Sequence, residues 1–136
     1  RTDLLVNNFV ETAVKKGKLE IFEPNFRRNF IHINDIVDAF LFSIKNFAKL
    51  KNNIFNLGLS SANISKINLA RKIKKVIPKT KVIINKKGND PDKRDYFVSN
   101  KKIEKAGFKA KVSLDEGIRE LNGIFQNCDI KFINNY

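Results

Sequence analysis

Few side chains in this 136-residue sequence could do chemistry by themselves. The one histidine, His32, stands between Ile31 and Ile33 on a predicted strand. A lone imidazole flanked by apolar residues is more often a structural hydrogen-bonding group than an acid–base catalyst. That histidine and the single cysteine, Cys128, cannot make a four-ligand zinc site. Neither G-x-G-x-x-G nor G-x-x-x-x-G-K-S/T occurs, so no loop carries the signature that cradles a dinucleotide or a triphosphate. Scattered Ser, His and Asp residues argue for no triad. Asp35 and Asp38 lie three apart on one predicted helix and serve its first turn. By itself the chain is expected to catalyse nothing. Binding is better provided for. Arg27 and Arg28 immediately precede a predicted strand, and Arg94 sits in the loop Asp90-Pro91-Asp92-Lys93-Arg94-Asp95-Tyr96. The arginine fork matches phosphate oxygens two at a time, so two such side chains from separate loops suit a diphosphate. The competing account is a surface ion pair, for instance Arg94 with Asp92 or Asp95, worth about 0–1 kcal/mol.

Charge offers a second binding reading. The net +13 is concentrated in residues 66–111, where 16 basic against 4 acidic residues leave +12. Such a stretch attracts polyanions, whether nucleic acid, an acidic membrane surface or a phosphate-bearing small molecule. It is equally the solvated face of an amphipathic helix. No aromatic is interleaved as in a base-stacking platform, which argues against a nucleic-acid-binding module.

The elements that must position these residues follow from periodicity. Leu4, Leu5, Phe9, Val10, Ala13 and Val14 repeat at helical spacing, and Lys15-Lys16-Gly17 ends that helix. Leu19, Ile21 and Phe22 predict a short strand, Glu23-Pro24-Asn25 a turn, and Phe30, Ile31 and Ile33 a second strand. Asn34 is placed to cap a helix over about 36–47, with Ile36, Val37, Phe40, Leu41 and Ile44 inward. Ile54 to Leu57 reads as a strand closed by Gly58. Ser65 caps a helix whose inner face is Ile67, Leu69, Ala70, Ile73, Val76 and Ile77 and whose outer face is Lys66, Arg71, Lys72, Lys74 and Lys75, stopped by Pro78. A strand over 81–84, a polar loop over 86–95, a short helix capped by Ser99 or Asn100 and ended by Gly107, and a last helix to about Gln126 complete the pattern. Ser113 and Glu116 form a capping box for that last helix, which buries Leu114, Ile118, Leu121 and Phe125.

The expected fold class is α/β, a small α+β-like lobe of helices with short strands. One lobe is expected over residues 1–127, with 128–136 as a tail. The chain contains no Met and begins at Arg1, so it reads as a piece of a longer polypeptide. It has no apolar run of the roughly 20 residues a membrane span needs and nothing resembling a signal peptide. One unpaired cysteine fits a reducing, cytoplasmic setting.

Six segments, taken together, resemble a known family. Arg28-Asn29-Phe30-Ile31-His32-Ile33-Asn34-Asp35-Ile36-Val37 resembles the R-D/P-F-I-H-V-x-D-V/L-V motif of extended short-chain dehydrogenase/reductase enzymes, the NAD-dependent nucleotide-sugar epimerases and dehydratases that include UDP-glucose 4-epimerase. Arg1 to Asn7 resembles that family's R-x-D-L-V-V-N, Leu19 to Phe22 its L-x-I-F/Y strand, and Ile54 to Gly58 its V-Y-N-V/I-G. Asp92 to Ser99 resembles D-x-R-D/S-Y-x-V-S, and Gly107 to Ala110 with Ser113 to Ile118 resembles the closing G-F-x-P and S-L-E-E-G-I. The matches cover about residues 1–121 in the family's order.

The resemblance implies the carboxy-terminal part of a Rossmann-type enzyme of carbohydrate metabolism, an isomerase or lyase. An amino-terminal Rossmann domain, outside this sequence, would hold NAD and the catalytic Tyr-x-x-x-Lys. This chain would bind the nucleotide of a nucleoside-diphosphate sugar and be inactive alone. By motif, Arg28 would contact the diphosphate and Arg94 would clamp it from a second loop. Glu20, Ile21 and Phe22 match the strand against the base, and Asp3, Leu4 and Asn7 fall in the segment bordering the substrate. His32 and Asp35 would be structural. The implied partners are the sugar nucleotide, the chain's own Rossmann domain and a second copy in a homodimer. The sequence departs from the pattern at Glu23-Pro24-Asn25-Phe26-Arg27, where glycines are usual, at Asn29, and at Ala110. Those departures leave open which base and sugar are bound, and whether Arg27 or Arg28 faces the phosphates.

Overall fold

A computed structural model describes residues 3–85 and 94–128 of the chain. Of the loop expected over 86–95, residues 86–93, and of the tail expected over 128–136, residues 129–136, lie outside the described residues. Those described fall into two compact units. The first joins residues up to Phe26, Ser65–Arg94 and the segment from Asp115; the second joins Arg27–Ile64 and Asp95–Leu114.

The first unit is built on two parallel strands. Helix α1, Leu5–Lys16, carries Phe9, Val10 and Ala13 inward and ends at Gly17. Gly17 takes a left-handed φ of 64° and donates its N–H to the Ala13 carbonyl, a helix end that glycine reaches without a Cβ penalty. Strand β1, Lys18–Ile21, alternates exposed and buried, so Leu19 and Ile21 join the core while Lys18 and Glu20 face water. Its partner β4, Lys81–Ile84, runs parallel, with Leu19 opposite Val82 and Ile21 opposite Ile84. Parallel strands require a long crossover, and here it includes helix α4, Lys66–Val76. The Ser65 hydroxyl accepts from the Asn68 N–H at the start of α4, the expected cap, and Leu69, Ala70 and Ile73 are buried. Helix α6, Leu114–Asn127, begins immediately after Ser113; of the four residues expected inside it buries Ile118 and Phe125, while Leu114 and Leu121 are half-buried.

The second unit departs more from expectation. Strand β2 is Arg27–Asn29, not the segment from Phe30 to Ile33, so both arginines lie in the strand itself. It pairs with β3, Asn63–Ser65, which the sequence did not announce. His32 is not on a strand. It is the N-cap of helix α2, Ile33–Lys45, and its Nδ1 accepts from the Asn34 N–H at 3.2 Å. The cap therefore falls two residues before Asn34, because the imidazole offers the acceptor that an N-cap needs.

The largest correction concerns the inner face of α2. Val37, Phe40, Leu41 and Ile44, expected inside, are exposed, as are Ile33 and the following Phe47. Asp35 and Ala39 are buried instead, with Phe42 packed on Ile103 and Phe108. The helix is apolar around most of its circumference, so periodicity does not single out the face its own unit covers. Helix α3, Phe47–Leu50, extends the run. Residues 54–57, read as a strand, join no ladder among the described residues; the Ile54 carbonyl accepts from Lys102 Nζ at 2.9 Å, and Phe55 and Leu57 pack with Phe42 on Ala39, Ile103 and Phe108. Helix α5, Lys101–Ala106, starts after Asn100 and closes on Gly107 with φ 113°.

Candidate functional site

Arg28 is only 6 % exposed, because it is the inward residue of β2 between an exposed Arg27 and a half-buried Asn29. Its Nη1 donates to the Arg27 carbonyl at 2.8 Å, and its guanidinium lies 5.1 Å from the centroid of the Tyr96 ring. Arginine is suited to this environment: its planar cation stacks on aromatic faces and is more weakly hydrated than an ammonium.

Arg27 points the other way and is tied down. Its Nε and Nη2 donate to the two Asp95 oxygens at 3.1 Å each, and its backbone N–H donates to Asp95 Oδ1 at 2.7 Å. The Arg27 side chain first, and its backbone N–H second, hold the Asp95 carboxyl below the usual carboxylate range; the same pairing raises the Arg27 guanidinium. Asp95, foreseen with Asp92 as an alternative ion-pair partner for Arg94, pairs with Arg27. Together these contacts lay the dipeptide Asp95–Tyr96 along β2, with the carboxylate on Arg27 and the ring on Arg28. Tyr96 was not singled out from the sequence, and Asp95 only as an ion-pair partner for Arg94. Their signal was the strand alternation of Arg27 and Arg28, legible only once β2 is known to include both.

Asn29, a departure from the family pattern, has a local role. Its amide donates to the Leu59 carbonyl at 2.9 Å, and its Oδ1 lies where a Cβ on Gly58 would have to stand. Only glycine fits there. Asp35, in the first turn of α2, is buried and accepts the backbone N–H groups of Lys111 at 2.8 Å and Val112 at 3.0 Å. A carboxylate satisfied in this way is a structural anchor, in keeping with its expected role.

The other expected site residues lie in the first unit. Asp3 and Leu4 are exposed before α1, with Leu4 at its N-cap position, and Asn7 is half-buried in the helix. Glu20 is exposed on β1, accepting from Lys18 at 2.9 Å and Asn85 at 3.1 Å; the Lys18 hydrogen bond, first among several causes, lowers its pKa. Ile21 is wholly buried, which leaves its main chain as the part able to meet a ligand. Phe22 is half-buried at the end of the strand. Arg94 is exposed at the edge of the described residues. Seven of the eight residues thus belong to one unit, and Arg28 to the other.

Lys66 was placed on the outer basic face of α4 and is instead 2 % exposed. Its Nζ donates to the Phe22 carbonyl at 3.0 Å, approaches Glu23 Oε2 at 3.9 Å and stands 5.6 Å from the Phe26 ring centroid. The long side chain reaches back over the turn 22–26 because Lys66 is the first residue of the helix, where the N–H of Lys66 also meets the Phe26 carbonyl. Within that turn Glu23 adopts φ 43°, a conformation glycine takes freely. Lys72, on the same helix, pairs with Asp115 at 2.8 Å.

Among the described residues, no group of three or more His, Cys, Asp or Glu gathers to hold a metal, and no helix is long and apolar enough to cross a membrane. Among the described residues, Gly17 and Gly107 close helices.

No family profile matches the chain. Among curated proteins it is 26 % identical over 121 residues to GDP-L-colitose synthase of Yersinia pseudotuberculosis, covering 87 % of this chain and 39 % of that protein. Among solved structures it aligns with the UDP-Glc/GlcNAc 4-epimerase of Campylobacter jejuni at a TM-score of 0.72 and 24 % identity, over 94 % of this chain and 42 % of that one. The UDP-glucose 4-epimerase of Thermotoga maritima, solved with UDP-glucose, gives a TM-score of 0.70 and 23 % identity over 90 % of this chain and 39 % of that one. At these identities the structural likeness establishes a shared α/β fold. The chain spans about two fifths of the length of the relatives it matches.

Proposed function

The chain has the fold and the segment order of the carboxy-terminal part of an extended short-chain dehydrogenase/reductase, and from that premise we propose that it is the substrate lobe of an enzyme acting on a nucleoside-diphosphate sugar. The observation that carries the proposal is Arg28, a shielded cation held against Tyr96 at the position where the family motif has its diphosphate-binding arginine. Arg94 is its second clamp, Glu20, Ile21 and Phe22 frame the base, and Asp3, Leu4 and Asn7 border the substrate. Lys66 steadies the Phe22 end of that frame through the Phe22 carbonyl.

The lobe's contribution is positional. Binding energy at the nucleotide holds the sugar at the catalytic centre and converts encounter into a fixed orientation. NAD and the groups that move hydride and proton belong to the Rossmann domain of the same enzyme, so the lobe alone is inactive. The setting is cytoplasmic. The basic stretch is less available to a polyanion than its charge suggests, since Lys66 is buried and Lys72 is paired.

The test is calorimetric titration of the chain with UDP, dTDP, GDP and a short DNA duplex, at low and moderate salt, with Arg28→Ala and Arg94→Ala in parallel. Binding of one nucleoside diphosphate, weakened by both substitutions, is the expected result. Tight salt-dependent binding of DNA alone, indifferent to both arginines, would replace this reading with that of a nucleic-acid module.

A further inference from the structure

The fold gathers at one end of the first unit a charge that the chain carries in two distant stretches. Helix α1 packs on β1 and on α4, and α4 packs on both strands. Both helices finish where the parallel strands begin: α1 turns into β1 through Gly17, and α4 turns into β4 through residues 77–80. The two turns touch, since the Lys81 N–H donates to the Gly17 carbonyl at 2.9 Å and Lys18 stands opposite Lys81 in register. Lys15, Lys16, Lys18, Lys74, Lys75, Lys79 and Lys81 all belong to this end, and all are exposed.

Part of this charge has a local use. Lysines in the last turn of a helix face the negative end of its dipole, which accounts for Lys15, Lys16, Lys74 and Lys75. Lys15 also pairs with Glu11 at 2.8 Å and Lys18 with Glu20 at 2.9 Å. The rest has no such use. Lys79 lies in the turn itself, and Lys18 and Lys81 put like charges side by side on adjoining strands, where they repel rather than hold the sheet together. Among the described residues, Lys16, Lys74, Lys75, Lys79 and Lys81 enter no ion pair. A cluster that the fold tolerates without using is explained by a surface of opposite charge outside it.

The make-up of this end selects the partner. Every cation in it is lysine, a strongly hydrated point charge without the planar fork that suits nucleic-acid recognition. No large apolar or aromatic side chain is exposed among residues 5–18 or 66–82, so nothing here stacks on a base or inserts into a bilayer. What remains is a compact group of lysines, of the size, about four to eight, by which polybasic segments hold an anionic lipid surface. We propose that this end of the first unit docks on the headgroups of an anionic membrane as a peripheral, salt-sensitive contact. Ile21 and Phe22, which frame the base in the reading above, stand at the opposite end of β1, so a chain seated this way keeps them clear of the surface. Docking of this kind does not depend on what the nucleotide site binds, and the two can fail separately.

The experiment is cosedimentation of the chain, at low and moderate salt, with vesicles of phosphatidylcholine alone and of equimolar phosphatidylcholine and phosphatidylglycerol. The expected result is binding to the anionic vesicles only, weakened at the higher salt as screening shortens the reach of exposed charges. Lys75→Gln, Lys79→Gln and Lys81→Gln together should lower the partition about a hundredfold, roughly fivefold for each lysine, the factor that about 1 kcal/mol per lysine at such a surface represents. Lys101→Gln, Lys105→Gln and Lys109→Gln, equally exposed but in the second unit, remove the same charge and should leave most of the binding in place. Both triple variants should melt with the parent chain, as exposed substitutions do, so that lost binding is not lost folding. Absence of binding to the anionic vesicles at low salt overturns the proposal. So does an equal loss in the two triple variants, which would make net charge rather than this end responsible. Tighter binding to a short DNA duplex than to vesicles, lost in the first triple variant, would assign the end to nucleic acid instead.

Discussion

Helices α4 and α2 look alike as sequences and behave oppositely. Both carry an apolar stripe at helical spacing. In α4 that stripe is core, with Leu69, Ala70 and Ile73 buried against the parallel pair β1 and β4. In α2 it is surface, and the unit instead buries the side bearing Asp35 and Ala39. Hydrophobic periodicity says that a face is to be covered; it does not say whether the cover lies in the same unit.

Substitutions sharpen this contrast, beginning with the largest effect. Leu69→Ala should cost about 2–5 kcal/mol in chemical denaturation, the range for a buried leucine. Ile44→Ala in the isolated chain should stay within about 0.5 kcal/mol, as at other exposed positions. Equal costs at the two sites would break the comparison. Next, Asp35→Ala leaves the Lys111 and Val112 N–H groups without their acceptor and should cost about 2–4 kcal/mol, from one to two lost bonds to a charged group. Gly58→Ala drives a methyl into the Asn29 side chain and should cost about 1–3 kcal/mol, seen as a lowered thermal midpoint. The smallest effect belongs to Asp95. Its pKa is depressed in the folded state, so its stabilising contribution is present above the unfolded-state value, about 3.9, and disappears as pH falls through the lower folded value. Comparing the chain with Asp95→Asn, the difference in thermal midpoint should be steady at neutral pH and close on acidification below that range. A difference that grew as pH fell would contradict the Arg27 pairing.

The same contrast explains what the sequence disclosed. Elements set by local chemistry were legible: the Gly17 stop, the Ser65 cap, the start of α6 after Ser113, and the strand Leu19–Ile21. Elements set by contacts distant in sequence were not. Strand β2 is fixed by pairing with β3, over thirty residues on, so the apolar run Phe30–Ile33 misled the strand's placement. Lys66 looked like one basic residue among many, because only the fold brings the Phe22 carbonyl to its ammonium. In the candidate site, Arg28 was legible through its motif, while Asp95 and Tyr96 emerged from the alternation of β2.

The first unit is assembled from three stretches of chain, and the second lies in the intervals between them. During synthesis at about 5–20 residues per second, the last piece of the second unit leaves the ribosome before α6 does. The first unit must therefore wait for its last stretch, which brings the buried Ile118 and Phe125, while the Asp35 tie to Lys111 and Val112 can already close. The order of emergence makes the unit with the uncovered apolar stripe the first to be complete, and so the earliest surface on which a chaperone or a partner domain could act.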